Sequence, residues 1–156
     1  MDKKSKFLLL QVNDALFPIG GYSHSYGLET YIQKELVTNA AEAEAYIRNK
    51  LTQNLLYNEL FFCRLAWERA QAQDMEGLQE LEEVLEAGKV PSEIREASKK
   101  MGSRFAKTLK NCGIVYETPV FLRYMEKKKS GSAHHVIAYG IFCSSIGISL
   151  EDCLEH

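Results

Sequence analysis

The chain has 156 residues, which is enough for one domain that buries a core. Hydrophobic residues make up 46% of it and charged residues 26%, a globular composition that argues against a disordered or fibrous chain. The formal net charge of -2 argues against a general nucleic-acid-binding protein, which would be basic.

Apolar residues recur at helical spacing along the chain, and no long stretch alternates apolar and polar residues as a strand would. After a short apolar segment at the N-terminus, Pro18 and the pair Gly20-Gly21 predict a loop with a sharp bend. Ser23 or Ser25 is expected to cap the next helix, which runs to about Lys34.

The longest predicted helix begins at Asn39, because Asn39 and Glu42 resemble a capping box. It extends towards Gln73, with or without a break near residues 52–54. Two apolar stripes give it a wide apolar face, which predicts deep burial of its second half. The stripes consist of Ile47, Leu51 and Leu55, and of Leu56, Leu60, Cys63 and Trp67.

Three further helices are marked by their ends. Asp74 is a candidate cap for a helix that ends at Gly88. Pro91-Ser92 begins a helix that Gly113 closes, and Pro119 opens a shorter one. The first of these helices is acidic and the second is basic, so we expect their faces to attract each other. The alternative is a charged docking surface for a partner.

Residues 132–146 are dense in small side chains, which let helices approach closely, so this segment is predicted to be the central helix. Ser149 starts a last helix that the end of the sequence cuts short, which indicates a shortened chain or the remnant of a tag. The predicted fold is all-α, a single-domain bundle of about seven to eight helices over residues 1–156.

The cysteines and the apolar runs favour a cytoplasmic protein. The four cysteines are widely spaced and form no C-x-x-C pair, as expected for free thiols in a reducing compartment. The basic N-terminus and the apolar run after it resemble a signal peptide, but Asn13 and Asp14 interrupt the run. No apolar run is long enough to span a bilayer, so we expect no membrane contact.

Candidate catalytic and metal-binding motifs are incomplete. Residues 21–25 resemble the nucleophile elbow G-x-S-x-G, but Ser25 replaces its last glycine and no strand is predicted before it. A serine hydrolase that uses Ser23 is therefore only an alternative. His134 and His135 point about 100° apart on a helix and cannot both bind one metal ion. We predict no catalytic residue and no metal site, although a transient nickel contact at a dimer seam suits imidazole.

Three blocks resemble the UreF family of urease accessory proteins. Residues 9–29 are similar to its signature L-L-Q-L-x-D-S-x-x-P-x-G-[GA]-[FY]-x-H-S-x-G-L-E. Residues 98–104 are similar to S-x-x-M-G-x-R, and residues 134–148 to H-x-x-x-x-x-G followed by L-G-I. Ala15 stands where the family usually has serine, and family members run longer than this chain.

The resemblance implies an all-α protein that is not an enzyme and holds no cofactor tightly. The resemblance also implies that the protein acts together with the scaffold protein UreD/UreH and the GTPase UreG to load nickel into apo-urease. A member bridges scaffold and GTPase, regulates GTP hydrolysis and forms a homodimer. The family's further C-terminal helices are associated with scaffold docking. If the resemblance is wrong, a generic helical interaction module is the fallback.

The loop at residues 18–27 combines glycine, aromatic and imidazole groups, so we expect it to contact the GTPase or its nickel path. Arg104 is expected to anchor a carboxylate of the partner. Structural alternatives are that Tyr22 and Tyr26 cover the core, that Arg104 pairs with the acidic helix and that Glu29 pairs locally. The candidate partner-binding residues are Pro18, Gly20, Tyr22, Ser23, His24, Glu29 and Arg104. The residues expected to be structural are Gln11, Gly27, Met101, Gly102, His134 and Gly140.

Overall fold

A computed structural model describes residues 3–21, 27–128 and 133–156, and it contains helices but no strands within these ranges. Its elements are α1 (Lys3–Val12), α2 (Leu28–Gln33), α3 (Ala40–Asn49), a π-helix, π1 (Lys50–Leu60), α4 (Phe61–Gln71), α5 (Met75–Gly88), α6 (Ser92–Lys110), α7 (Val120–Lys127), α8 (His135–Ser145) and α9 (Leu150–Glu155). Because α3, π1 and α4 follow one another directly, the described ranges hold eight helical bodies, as predicted.

The predicted caps of three helices are confirmed. The side chains of Asn39, Asp74 and Ser149 each accept a hydrogen bond from the backbone N–H three residues later, at 3.0, 2.9 and 3.1 Å. Each bond satisfies a donor that the first turn of a helix leaves unpaired. These short-range signals fix where α3, α5 and α9 begin.

The start of α2 differs from the prediction. The helix begins directly after Gly27, whose φ of 96° lies in the left-handed region that favours glycine. Ser23 and Ser25, the predicted caps, lie outside the described residues. Gly27 itself has no side chain, so the described residues give this helix start no side-chain cap.

Helix α8 lies at the centre of the molecule, as predicted, and all of its residues from Ile137 to Ser145 are buried. It packs on α4, α6, α7 and α9. A Cβ atom on Gly140 would lie 2.4 Å from the carbonyl oxygen of Cys63 in α4, so only glycine permits this approach. Phe105 of α6 is fully buried beside it, with its ring centroid 5.3 Å from that of Phe142.

The predicted deep burial of the second half of the long helix is confirmed only within α4, and the apolar stripes before it are exposed. The side chains of Ile47, Leu51, Leu55 and Leu56 are 48%, 52%, 38% and 49% exposed. In place of a break near residues 52–54, the backbone winds into π1, where hydrogen bonds join residues five apart. Residues at α-helical spacing no longer share one face there, and deep burial begins only in α4.

Ion pairs join the acidic helix α5 to the basic helix α6, as expected. Lys99 and Arg95 of α6 both reach Glu86 of α5, at 3.0 and 3.3 Å. Among the described helices, none is long and apolar enough to cross a bilayer.

Candidate functional site

The three blocks of the sequence resemblance meet in space. Gly20 has a φ of 79° and lies so close to Arg104 that an added Cβ would stand 2.1 Å from its Nη1. An added Cβ on Gly21 would stand 3.1 Å from Cε of Met101. The first block therefore lies directly on the second, which forms part of α6.

The third block contacts the second through His134, which has no exposed surface. Its Nδ1 lies 3.1 Å from Oγ of Ser98, and its Nε2 lies 2.9 Å from Oε2 of Glu86. Burial lowers the pKa of the His134 ring, although the Glu86 carboxylate opposes this shift. Both ring nitrogens are occupied by internal partners, so His134 joins α5, α6 and the start of α8.

A buried carboxylate extends this junction. Oε1 of Glu82 accepts a hydrogen bond from the backbone N–H of His134 at 3.0 Å and another from the hydroxyl of Tyr124. Burial raises the pKa of the Glu82 carboxyl, although both hydrogen bonds stabilise its charged form. Sequence reasoning missed Glu82 because it lies in an acidic run. Its position four residues after Leu78 places it on the core stripe of α5, and that spacing was the available signal.

A cavity of about 340 Å³ lies beside this junction, between π1, α6 and α8 and below Gly20 and Gly21. Leu55, Ile94, Met101 and Val136 provide apolar walls. His135 also lines it, and Nε2 of this ring is buried without a hydrogen-bond partner among the described atoms. Burial lowers the pKa of His135 to about 4, so the ring is neutral at physiological pH.

The basic residues of α6 and of the cavity lining fall into two groups. Lys89 is buried and forms an ion pair with Glu59, and Lys99 and Arg95 pair with Glu86 as described above. Lys100 and Arg104 also line the cavity and have no carboxylate within 4.0 Å in the described ranges. The alternative that Arg104 pairs with the acidic helix is therefore wrong, because Lys99 and Arg95 occupy that position.

The remaining candidate partner-binding residues are less constrained. Tyr22, Ser23 and His24 lie outside the described residues. Pro18 is exposed in the turn after α1. Glu29 is exposed in the first turn of α2, where its charge suits the helix dipole, and no ion pair joins it to the part of the chain that the structure describes.

The residues expected to be structural occupy different environments. A Cβ on Gly102 would lie 2.0 Å from the carbonyl oxygen of Ala133, so α6 and the start of α8 touch backbone to backbone there. Gly140 and Gly27 have the roles described above, and Met101 is partly buried against the core. Gln11 is exposed on α1.

The described residues offer no group of three histidine, cysteine or acidic side chains arranged to hold a metal ion. Cys63, Cys143 and Cys153 are buried between α4, α8 and α9, with 3.7 Å between Sγ of Cys63 and Sγ of Cys153. A hydrogen bond with Cys143, together with burial, raises the pKa of the Cys153 thiol, which keeps it protonated and unreactive.

Comparison with known proteins agrees with the sequence resemblance. The model of the family UreF matches residues 37–156. A urease accessory protein UreF of Corynebacterium glutamicum (strain R) is 32% identical over 157 residues, which cover 99% of this chain and 67% of that protein. One from Haemophilus influenzae (strain PittGG) is 34% identical over 149 residues, which cover 94% of this chain and 62% of that protein. The chain thus spans about two thirds of the length of these relatives.

Proposed function

The chain belongs to the UreF family of urease accessory proteins, and we propose on this basis that it acts in the maturation of urease. The observation that carries the proposal is the agreement between this chain and its relatives along nearly all of its length. The meeting of the three signature blocks at the cavity beside α6 supports it, since all three contribute to its lining.

In the proposed role, the chain bridges the UreD/UreH scaffold and the GTPase UreG, so that nickel enters apo-urease in a step that depends on GTP hydrolysis. Nickel is the cargo of this process. Both ring nitrogens of His134 are already engaged, which supports transfer by the whole complex over nickel binding at this residue. A cytoplasmic location is part of the proposal, in line with the widely spaced thiols.

A homodimer is also part of the proposal. The exposed apolar side chains of α3 and π1 support it, because an apolar surface of this kind is usually covered by a partner. A serine hydrolase that uses Ser23 has no support from the described residues. The segment before Gly21 is a helix followed by turns, whereas a nucleophile elbow follows a strand.

Size-exclusion chromatography with light scattering tests the proposal. The 156-residue chain is mixed with the UreD/UreH scaffold, and then with UreG and GTP. We expect the chain to co-elute with the scaffold and the GTPase to join the complex, with a mass that reports two copies of the chain. Separate elution of all three proteins would contradict the proposed function.

A pair of variants tests the loop at residues 18–27. Tyr22→Ala with His24→Ala should retain helicity and lose GTPase binding and urease activation. The matched control is Phe7→Ala with His156→Ala, which removes an aromatic ring and an imidazole from exposed positions outside the loop and outside π1. Lost helicity would assign Tyr22 and His24 a structural role, and unchanged activation would contradict a role in partner binding.

A further inference from the structure

The cavity beside α6 has the walls of an apolar pocket and the rim of an anion-binding site. Its inner surface comes from Leu55, Ile94, Met101 and Val136, which would accommodate an aliphatic or aromatic group. Its volume of about 340 Å³ exceeds that of a single side chain. A ligand that fills it can therefore be large and apolar.

Two cations at the rim have no acidic partner among the described residues, although Nη1 of Arg104 donates a hydrogen bond to the Ile19 carbonyl at 3.5 Å. Lys100 and Arg104 are four residues apart on α6, so their head groups emerge on the same side of the helix. Both are exposed, and no carboxylate of the described ranges approaches either within 4.0 Å.

The chemistry of the rim favours a carboxylate. The planar guanidinium of Arg104 can bind a carboxylate through two parallel hydrogen bonds, and the Lys100 ammonium adds a second positive charge beside it. The inner walls offer a phosphate group few donors, because they are apolar and because the carboxylate of Glu59 lies among them.

We propose that this cavity is a docking pocket for an acidic segment of a partner protein. A large apolar side chain of that segment enters between Leu55 and Met101, and a neighbouring Asp or Glu pairs with Lys100 and Arg104. The inference rests on the proposed function, because it requires a protein partner. It adds the chemistry by which that partner is recognised.

Charge reversal tests the pocket with the scaffold, the GTPase and apo-urease as separate probes. Lys100→Glu and Arg104→Glu should each weaken binding of one probe by about tenfold and reduce its dependence on salt. The matched control is Lys110→Glu, which makes the same charge change at an exposed position of α6 that does not line the cavity. It should bind like the unsubstituted chain, and thermal melts should show all three variants folded.

Site-specific crosslinking identifies the occupant. A photoreactive benzoylphenylalanine at Leu55, inside the cavity, should crosslink to a partner peptide that contains Asp or Glu next to a large apolar residue. The same group at Val84, exposed on α5, is the control and should not react with that peptide. Adding Lys100→Glu should suppress the crosslink from position 55.

The outcomes separate the two proposals. If the unsubstituted chain binds none of the three probes, the proposed function fails and the docking pocket fails with it. If it binds but the variants at Lys100 and Arg104 bind as tightly as Lys110→Glu, only the docking pocket is overturned. A crosslink from position 55 to this chain's own residues, with none to a partner peptide, would also overturn it. The docking pocket would also be overturned if inorganic phosphate stabilised the protein through Arg104 while partner binding did not depend on Arg104.

Discussion

Helix α8 and the stretch formed by α3 and π1 are both rich in apolar residues, yet they occupy opposite environments. All of α8 from Ile137 onwards is buried, whereas Ile47 and Leu51 are about half exposed. Gly140 lets α8 lie against the backbone of α4, and this approach surrounds it with neighbours. The segment of α3 and π1 contacts mainly its own continuation along the chain. Apolar content alone therefore does not decide burial, because a helix also needs neighbours close enough to cover it.

The largest expected contrast comes from truncating one apolar side chain in each region. Phe105→Ala should cost about 3–5 kcal/mol of unfolding free energy, because it leaves a cavity among the aromatic rings around α8. Leu51→Ala in π1 should cost less than about 1 kcal/mol, because this side chain is 52% exposed. Urea unfolding of the monomer measures both. Equal losses would mean that π1 is as deeply packed as α8.

Acid should weaken the packed region through His135. Its pKa falls from 6.5 in the unfolded chain to about 4 in the fold, because burial and the nearby Lys89 disfavour its charged form. The unfolded chain then binds the proton first, so stability is lost as the pH falls from 6.5 towards 4. Between pH 7 and pH 5 the loss is about 2 kcal/mol.

His135→Phe tests this linkage, because it keeps a ring beside Phe105 and Tyr139 but cannot titrate. Urea unfolding at several pH values should show a flatter profile for this variant between pH 7 and pH 5. His156→Phe at the exposed chain end is the control and should keep the slope of the unsubstituted chain. Parallel profiles for His135→Phe and the unsubstituted chain would refute the assigned shift.

Gly140→Ala should destabilise the protein by about 1–3 kcal/mol, because the new methyl group meets the Cys63 carbonyl and forces α4 and α8 apart. Gly88→Ala, at the end of α5, is the matched control, since no atom lies within 4 Å of the added Cβ. It should be neutral or slightly stabilising. Thermal melts measure the melting temperature of both variants. Equal melting temperatures would mean that the close approach of α4 and α8 at Gly140 does not contribute to stability.

The smallest effect is expected at the start of the exposed region. Asn39→Ala removes the cap of α3 and should cost about 1 kcal/mol. Asn58→Ala, at an exposed position inside π1, should change stability by less than about 0.5 kcal/mol. Amide hydrogen exchange should show faster exchange in the first turn of α3 for Asn39→Ala alone. Unchanged exchange there would mean that the cap contributes nothing.

Features set by neighbours in sequence could be predicted. The caps at Asn39, Asp74 and Ser149, the core stripe of α5 and the central place of α8 all follow from local spacing and from small side chains. The exposure of α3 and π1 could not be predicted, because burial depends on which other element covers a face. The π-helical winding has no marker in the sequence that we can name.

The candidate site was only partly predictable for a related reason. Helix α6 carries two basic stripes, one with Arg95 and Lys99 and one with Lys100 and Arg104. Adjacent residues differ by about 100° around a helix, so only one stripe can face α5. The sequence does not say which stripe does so. In the structure, Arg95 and Lys99 form ion pairs with Glu86, and Lys100 and Arg104 line the cavity.

Urease activation tests the central claim most directly. Cells that express apo-urease, the scaffold and the GTPase but lack their own UreF protein are supplied with this chain, and the nickel content and activity of the purified urease are measured. The proposed function predicts nickel-loaded, active urease, with less of both when Arg104→Glu replaces the unsubstituted chain. Urease without nickel or activity, in cells where a UreF relative restores both, would contradict the claim.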